Sequence, residues 1–331
     1  MLISQKSKET IDACRFCWMC RHVCPIGNAT GQERNTARAR ALTLSLVERG
    51  AVKLGDVVDN VWECALCGGC TNNCMTGWDP VRFTKEVRLE AVSNGEALPR
   101  VADTLLYIGT DVRYKAAEYA VDAAAVLKKA GIVFTILGDE PDSGAALDFL
   151  VGEADETKKA AEKCAKAISG YKKVIVLDPA DAKMMKHEYK EWGIAPDCEI
   201  VTFTSLAASL INDDILQVKN IGVPATYQDS FALVRDLDEV EEPRVIMNAC
   251  TELHEMLLNR KELIWGGNTL MAEYMPDVMK LVSKDRWTNA EHVGAKLLVV
   301  ASPSEFAALS AVKPEDMEIM SVPELILACI E

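Results

Sequence analysis

Eight cysteines are the residues of this sequence best suited to chemistry, because they form two groups with identical spacing. Each group has a cysteine at every third residue and a fourth after three more, the run that binds [4Fe–4S] clusters in bacterial ferredoxins. One short loop of this kind can supply three thiolates to a cluster, and the fourth must come from elsewhere. The sequence therefore predicts two [4Fe–4S] clusters, with ligands among Cys14, Cys17, Cys20, Cys24, Cys64, Cys67, Cys70 and Cys74.

The fourth cysteine of each group is predicted to serve the other group's cluster, as in two-cluster ferredoxins. The first cluster would then be bound by Cys14, Cys17, Cys20 and Cys74, and the second by Cys64, Cys67, Cys70 and Cys24. Such an exchange would join the two groups and keep the clusters close enough for an electron to pass between them.

The spacing alone leaves other metal arrangements open. Paired CxxC motifs also build zinc sites, although zinc takes two pairs of ligands rather than a third cysteine in step. One of the sites could also hold a three-iron or incomplete cluster. The remaining cysteines stand in apolar or mixed sequence and are predicted to be ordinary buried thiols: Cys164, Cys198, Cys250 and Cys329.

Residues beside the ligands fit a cluster site. Pro25 would turn the chain after the first group, and Gly68 and Gly69 would let the backbone approach a cluster. Three apolar side chains could exclude water from the first cluster, namely Phe16, Trp18 and Met19.

Residues 1–98 are predicted to form one small helical domain around both groups. One helix should run from about Glu33 to Arg49, with Gly50 past its end, and another from Asp79-Pro80 to near Gly95. Three arginines on the first helix could either offset cluster charge or face solvent: Arg34, Arg38 and Arg40.

The rest of the chain alternates strand and helix patterns, which predicts a largely parallel sheet covered by helices. Expected strands are Thr104–Gly109, Ile132–Leu137, Lys173–Asp178, Pro224–Gln228, Glu262–Trp265 and Lys296–Ala301. Expected helices are Val112–Ala130, Asp155–Ser169 and a stretch around Arg244–Asn259. Because KKVIVLDP at 172–179 resembles AKLLVVASP at 295–303, we predict two related α/β units, 99–215 and 216–331.

Charge and hydropathy restrict the partners. The 331 residues carry a net charge of −14, which argues against nucleic acid. Residues 1–98 hold 12 Lys/Arg against 11 Asp/Glu, so the negative charge belongs to the remainder. No apolar run is long enough for a transmembrane segment, and the N-terminus lacks a signal-peptide core. We expect a cytoplasmic protein that could reach a membrane through a partner.

The chain resembles the iron–sulfur subunits that carry cysteine-rich (CCG) domains. These include the iron–sulfur subunits of glycolate oxidase and of anaerobic glycerol-3-phosphate dehydrogenase (its C-type subunit), and the D-type subunit of heterodisulfide reductase. The likeness is specific in the cysteine groups and looser in local matches such as Tyr107-Ile108-Gly109-Thr110, Glu242-Pro243-Arg244, Trp265-Gly266-Gly267 and Gly294-Ala295-Lys296 leading to Ala301-Ser302-Pro303. It implies an α+β multidomain protein, with a helical two-cluster domain followed by two CCG-like α/β units.

The chain departs from this family where CCG domains carry the cysteines of a further cluster. The corresponding residues are not cysteines: Thr110, Asp142, Ser143, Asp178-Pro179, Ser230, Trp265-Gly266 and Ser302-Pro303. Hydroxyl groups replace thiolates poorly as ligands of such clusters. The α/β units are therefore expected to be degenerate CCG domains without a cluster.

We predict an electron-transfer subunit of a larger oxidoreductase, without a catalytic residue of its own. The resemblance implies an FAD-linked dehydrogenase as partner, of the glycolate, lactate or glycerol-phosphate type, and leaves room for further redox subunits. One alternative is a reductase whose α/β cleft, lined by Asp142, Asp178 and Asp181, binds a quinone, disulfide or other small substrate. Another is a scaffold that arranges other redox subunits.

Overall fold

The computed structural model describes residues 4–12, 14, 17–93, 102–194 and 196–330. The chain divides into two compact units, Met1–Arg100 and Val101–Glu331. Phe16, Gly95 and the Leu98-Pro99 boundary lie outside the described residues. No described helix is long and apolar enough to cross a membrane.

The N-terminal unit is helical. Its helices are α1 (Gln5–Asp12), α2 (Met19–His22), α3 (Pro25–Thr30), α4 (Ala37–Glu48), α5 (Val58–Trp62), α6 (Gly69–Asn72) and α7 (Pro80–Ser93).

Capping residues set the starts of its two longest helices, and one of them, Asp79, is the cap that the sequence predicts. The Thr36 side chain accepts a hydrogen bond from the Ala39 amide and begins α4, so Glu33–Asn35 forms a separate 3₁₀ turn. Asp79 accepts from the amides of Val81 and Arg82 and begins α7. Both predicted helices are confirmed, the first with a start four residues later than expected.

A small apolar core holds this unit together. It consists of Ile11, Ala37, Ala41, Leu44, Val61, Trp78, Phe83 and Val87. Cys20, Cys70 and Cys74 pack against it, so cysteines from both groups form part of the core surface. A core of this size supplies limited stability, and small domains of this kind commonly use metal sites as an additional constraint.

The C-terminal unit contains two parallel sheets. The first has the order β1-β2-β3, with β1 (Thr104–Tyr107), β2 (Lys173–Val176) and β3 (Glu199–Thr202). The second has the order β5-β4-β6-β7, with β4 (Pro224–Gln228), β5 (Glu252–Leu253), β6 (Leu297–Val300) and β7 (Glu318–Ser321). Every pairing between these strands is parallel, which confirms the predicted parallel character.

Helices cover these sheets. They are α8 (Thr110–Lys115), α9 (Ala117–Lys129), α10 (Ala145–Val151), α11 (Asp155–Ile168), α12 (Pro179–Lys183), α13 (Tyr189–Glu191), α14 (Phe203–Asn212), α15 (Glu242–Cys250), α16 (Thr269–Tyr274), α17 (Pro276–His292), α18 (Pro303–Ser310) and α19 (Val322–Cys329). The predicted helix 112–130 breaks at Ala116, whose φ of −149° and ψ of 53° are not helical.

Two predicted strands are wrong. Residues 132–137 join the first sheet through a single bridge, between Thr135 and Leu105. Val133 and Ile136 are exposed, so this segment lacks the burial that would support a strand. Residues 262–265 form no strand. The edge position beside β4 is taken by β5, which lies in a stretch predicted to be helical, since α15 ends at Cys250.

The two sheets share one strand order, since β1-β2-β3 corresponds to β4-β6-β7. One apolar cluster spans both, from Leu106 and Ile175 in the first sheet to Val299 in the second sheet and Leu325 on α19. The Tyr119 hydroxyl on α9 also donates to the Ala301 carbonyl after β6, at 2.8 Å. The two sheets are therefore packed as one compact unit.

We expect Tyr119→Phe to lower the free energy of unfolding by about 1–3 kcal/mol, because it leaves the Ala301 carbonyl without this donor. Tyr114→Phe is the matched control, since the Tyr114 side chain is 82% exposed. Urea denaturation followed by circular dichroism compares the two variants. Equal stability of both would show that the hydrogen bond contributes nothing.

Candidate functional site

Three cysteines of the first group and one of the second surround a common cavity. Its lining includes Cys14, Cys17, Cys20 and Cys74, together with Trp18, Met19, Arg38, Met75, Thr76 and Trp78. Trp18 and Met19 therefore lie where the sequence predicts water-excluding side chains. Met75 and Trp78 are further apolar residues of this cavity, and neither was predicted to shield the cluster.

A second cavity has the reciprocal composition. Its lining includes Cys24, Cys64, Cys67 and Cys70, together with Val23, Pro25, Ile26, Ala37, Arg40, Ala65, Gly68 and Val81. Each cavity thus takes three cysteines from one group and the last cysteine from the other. Four thiols around one cavity match the donor set of a [4Fe–4S] cluster, so the residues present fit that cofactor.

The two cysteine loops share a local conformation. Trp18 and Gly68, each directly after the second cysteine of its group, have left-handed φ values of 70° and 79°. Each precedes a one-turn helix, α2 or α6, and these helices pack against each other. For Trp18 this conformation costs about 1–2 kcal/mol. Gly69 does not face a cavity, because a Cβ there would lie 3.3 Å from the Val23 carbonyl oxygen.

Nearby donors reach the sulfurs. Cys24 caps α3 and accepts from the Gly27 amide at 3.4 Å, and Cys64 accepts from the Leu66 amide at 3.4 Å. Burial alone would raise the pKa of Cys74, but hydrogen bonds from the Thr76 hydroxyl and nearby amides outweigh it and lower that pKa. Such donors stabilise thiolates and adjust the electronic properties of a bound metal centre.

The innermost cysteines behave differently. Burial, followed by repulsion from Cys14, raises the pKa of Cys20 to about 11. Burial, followed by repulsion from Cys64, raises the pKa of Cys70 to about 11. Without metal both are thiols at neutral pH, and they release their protons when metal binds.

The structure separates the roles of the three arginines on the first predicted helix. Arg38 lines the first cavity, and its guanidinium lies 4.4 Å from the Trp18 ring centroid. Arg40 lines the second cavity, is 2% exposed, and donates to the Asn35 and Asn60 carbonyls, each at 2.9 Å. Arg34 is exposed and pairs with Glu63. Arg38 and Arg40 therefore place positive charge at the two cavities, and Arg34 does not.

Sequence reasoning missed Arg88, which fixes the second cysteine loop from α7. Its guanidinium donates to the carbonyl oxygens of Cys64 at 2.7 Å and Val61 at 3.0 Å, and it lies 4.9 Å from the Trp62 ring centroid. Because these acceptors are backbone groups 24 and 27 residues away, no local motif indicates the contact.

A sequence profile described as the 4Fe–4S dicluster domain matches residues 10–78. These residues include all eight cysteines of the two groups. The N-terminal unit contains a 4Fe–4S dicluster domain. The prediction of two [4Fe–4S] clusters is therefore confirmed, and the chain is an iron–sulfur protein of electron transport.

Relatives of this dicluster protein are similar beyond the cluster domain. The D-type subunit of dihydromethanophenazine:CoB–CoM heterodisulfide reductase from Methanosarcina acetivorans is 25% identical, over 88% of this chain and 87% of its own length. Probable iron-sulfur-binding oxidoreductase FadF of Bacillus subtilis is 23% identical, over 77% of this chain and 36% of its own. EtfAB:quinone oxidoreductase of Syntrophomonas wolfei is 30% identical, over 52% of this chain and 24% of its own. The predicted resemblance to the D-type heterodisulfide reductase group is confirmed.

The C-terminal unit of the dicluster protein has a cleft of its own. Five residues at the expected CCG cysteine positions line it, namely Thr110, Asp142, Asp178, Trp265 and Ser302. Asp181 and Glu305 line it as well. Ser143 lies behind this wall and donates to Asp181, and Ser230 is buried. The three aspartates predicted to share a cleft are therefore brought together.

None of the four scattered cysteines is among the residues that line the two cluster cavities. Cys164, Cys250 and Cys329 are buried in the C-terminal unit, as predicted, and Cys198 is half-buried.

We expect Arg40→Met to destabilise the dicluster domain by about 1–3 kcal/mol, because it removes the side-chain donors to two backbone carbonyls. Removing the positive charge should also lower the reduction potential of the nearer cluster. The reduced cluster carries more negative charge than the oxidised one, so it loses more stabilisation when the arginine is replaced. Arg34→Met is the control, and its effect should stay within about 0.5 kcal/mol. Thermal unfolding and an anaerobic redox titration measure both; equal behaviour of the two variants would contradict the role given to Arg40.

Proposed function

We propose that this chain is the electron-transfer subunit of a multi-subunit oxidoreductase. The observation that carries the proposal is the pair of adjacent cavities, each lined by four cysteines contributed by both groups. When bound there, [4Fe–4S] clusters accept and release single electrons. Cys14, Cys17, Cys20 and Cys74 would hold the first cluster, and Cys64, Cys67, Cys70 and Cys24 the second.

The burial of the cysteines supports a path through this domain. Cys17 and Cys67 are exposed, whereas Cys20 and Cys70 pack on the core and repel each other electrostatically when charged. The inner cysteines of the two sites are therefore neighbours, and the outer cysteines face the surface. This order suits an electron that enters at one exposed edge and leaves at the other.

We further propose that the partner on one side is an FAD-linked dehydrogenase. The family resemblance supports this partner. So do the names of the relatives, one of which is a subunit of a reductase and two of which are oxidoreductases. Electrons would arrive one at a time from the flavin of that partner and continue to a second acceptor. In this role the chain needs cluster ligands and a docking surface, and no acid, base or nucleophile.

The crossed ligand assignment predicts opposite effects for Cys74→Ala and Cys24→Ala. Cys74→Ala should damage the cluster held mainly by the first group, and Cys24→Ala the other. Each variant should lose about half of the iron, and Cys198→Ala, which removes a cysteine outside both sites, should lose none. Iron analysis and EPR spectra of anaerobically prepared protein follow the loss. Damage confined to the second group's cluster in Cys74→Ala would contradict the assignment.

Anaerobic affinity purification from the native host tests the partnership. We expect a flavoprotein to co-purify, with about eight iron atoms and eight sulfides per copy of this chain. The isolated complex should reduce the clusters when the dehydrogenase substrate is added. Zinc in place of iron, or a fully assembled complex without flavin, would contradict the proposal. Co-purification of two or more further redox proteins would favour the scaffold alternative.

A second candidate function is favoured by the cleft of the C-terminal unit. Asp142, Asp178 and Asp181 line one cavity together, as a small-molecule site would require. In this alternative the chain is a reductase subunit that binds the second acceptor itself.

A further inference from the structure

The cleft lies where parallel α/β sheets commonly bind ligands. Thr110 follows β1, Asp178 follows β2 and Ser302 follows β6, so the carboxyl ends of strands from both sheets meet there. Ligands of open α/β sheets bind in the crevice outside these strand ends. Both halves of the C-terminal unit thus contribute to one site.

Two buried acids line this cleft without full hydrogen bonding. Glu305 is 2% exposed, and neither of its carboxyl oxygens has a hydrogen-bond partner of ordinary geometry among the described residues. Asp181 is 6% exposed; its Oδ1 accepts from Ser143, and its Oδ2 has no partner in the described part of the chain. Unpartnered buried carboxyl oxygens cost stability, so a ligand that satisfies them is a physical explanation for their presence.

These acids occupy equivalent places in the two halves. Asp181 stands three residues after Asp178, in the first turn of α12, which follows the central strand β2. Glu305 stands three residues after Ser302, in the first turn of α18, which follows the inner strand β6. The cleft therefore presents one carboxyl group with an unpartnered oxygen from each half. A ligand that bridges them needs two polar ends.

Aromatic side chains form the rest of the wall. Phe149, Phe231 and Trp265 line the cleft, and the Trp265 Nε1 donor is buried without a partner among the residues that the structure describes. A neighbouring small cavity is also lined by Phe149 and Phe231. The neighbouring α10 also exposes Leu147, Leu150 and Val151. These surfaces suit a flat ring with an apolar substituent.

Three other polar groups of the cleft already have partners. Lys115 pairs with Asp111 at 3.2 Å and donates to Thr269, Asp142 accepts from Thr110 at 2.6 Å, and Asp178 accepts from the Ala180 amide. The groups best placed to serve a ligand are therefore those of Trp265, Asp181 and Glu305.

We propose that this cleft binds a neutral, flat ligand with two carbonyl oxygens, of the quinone class. One carbonyl would accept from Glu305 and the Trp265 indole, and the other from Asp181, with the ring against the aromatic wall. This inference rests on the second candidate function and names its acceptor class.

The protonation of the acids fits a ligand that accepts hydrogen bonds. Burial raises the pKa of Glu305 to about 8, although Gln228, the Gly266 amide and Arg286 oppose the rise. Burial, then repulsion from Asp178, raises the pKa of Asp181 well above its ordinary value. At neutral pH Glu305 therefore carries a proton most of the time and can donate it in a hydrogen bond, and the upward shift of the Asp181 pKa favours the donor form of that side chain as well.

Charged and titratable neighbours of the two acids influence their pKa values. Asp181 faces Glu140, Asp142, Asp178, Cys164, Tyr107 and Tyr189, and Glu305 faces Arg286, Asp229 and Tyr227. The donor form of Glu305 is fully present below its pKa and is lost as the pH rises through about 8. Affinity for a neutral carbonyl ligand should therefore fall with rising pH, whereas affinity for a cation should rise.

Calorimetric titration of the full cluster-loaded chain with menadione, a small quinone, tests the proposal. The titration is anaerobic and the clusters stay oxidised, so binding is measured without electron transfer. We expect one site per chain and an affinity that falls about tenfold between pH 7 and pH 9. Glu305→Ala should weaken binding about tenfold, and Glu305→Gln, which keeps a donor, should restore most of it. Glu291→Gln, on an exposed residue at the end of α17, should change nothing.

Trp265→Phe provides a second variant if Glu305→Ala fails to fold. It keeps a ring in the wall and removes the N–H donor, so we expect a several-fold loss of affinity. Absence of menadione binding to the unaltered chain, or an affinity that rises with pH, would overturn the proposal. So would binding of spermidine or Mg²⁺ to the cleft in place of menadione. None of these results affects cluster content or reduction by the dehydrogenase partner, which test the electron-transfer proposal separately.

Discussion

The placement of four cysteines around each of two cavities is the constraint on which the N-terminal unit depends. Its apolar core is small, and three of the eight cysteines form part of the surface of that core. Cys14 and Cys74 line the same cavity although they lie far apart in the sequence. A metal cluster bound by both cysteine groups would therefore link distant segments of the chain. Folding and cofactor binding are then one process, as in other small metal-binding domains.

The protein around these cavities supplies charge and shields the site. Arg38 and Arg40 stand at different cavities, and the aromatic ring of Trp18 contacts the guanidinium groups of both Arg38 and Arg21. Positive groups beside a cluster favour its reduced, more negative state, and apolar side chains limit the access of water. The two sites differ in side-chain size, because the first has large residues such as Trp18 and Trp78, and the second has small ones such as Ala65 and Gly68. The surroundings of a cluster are among the factors that set its reduction potential.

The C-terminal unit has a cleft lined by residues that follow strands of both sheets, and the two sheets share one strand order. Acids and hydroxyl groups line it at positions where the related subunits are expected to carry cysteines. Thiolates at those places would favour iron, whereas buried carboxyl groups favour hydrogen bonds to an organic ligand. The change in residue type therefore changes the chemistry of the cleft while the two halves keep one strand order.

Spacing along the chain determined the cofactor, because four thiolates at short intervals suit few metals. Local sequence also determined most strands and helices. Caps such as Thr36 and Asp79 and runs such as Pro224–Gln228 act on their immediate neighbours in the chain. The edge strand β5 could not be predicted, because two residues become a strand only by pairing with β4. Arg88 and Glu305 could not be recognised for the same reason: one contacts backbone groups more than twenty residues away, and the other lies in a cleft that forms only when both sheets pack together. Local chemistry is written in neighbouring residues, whereas burial and long-range contacts exist only once the chain has folded.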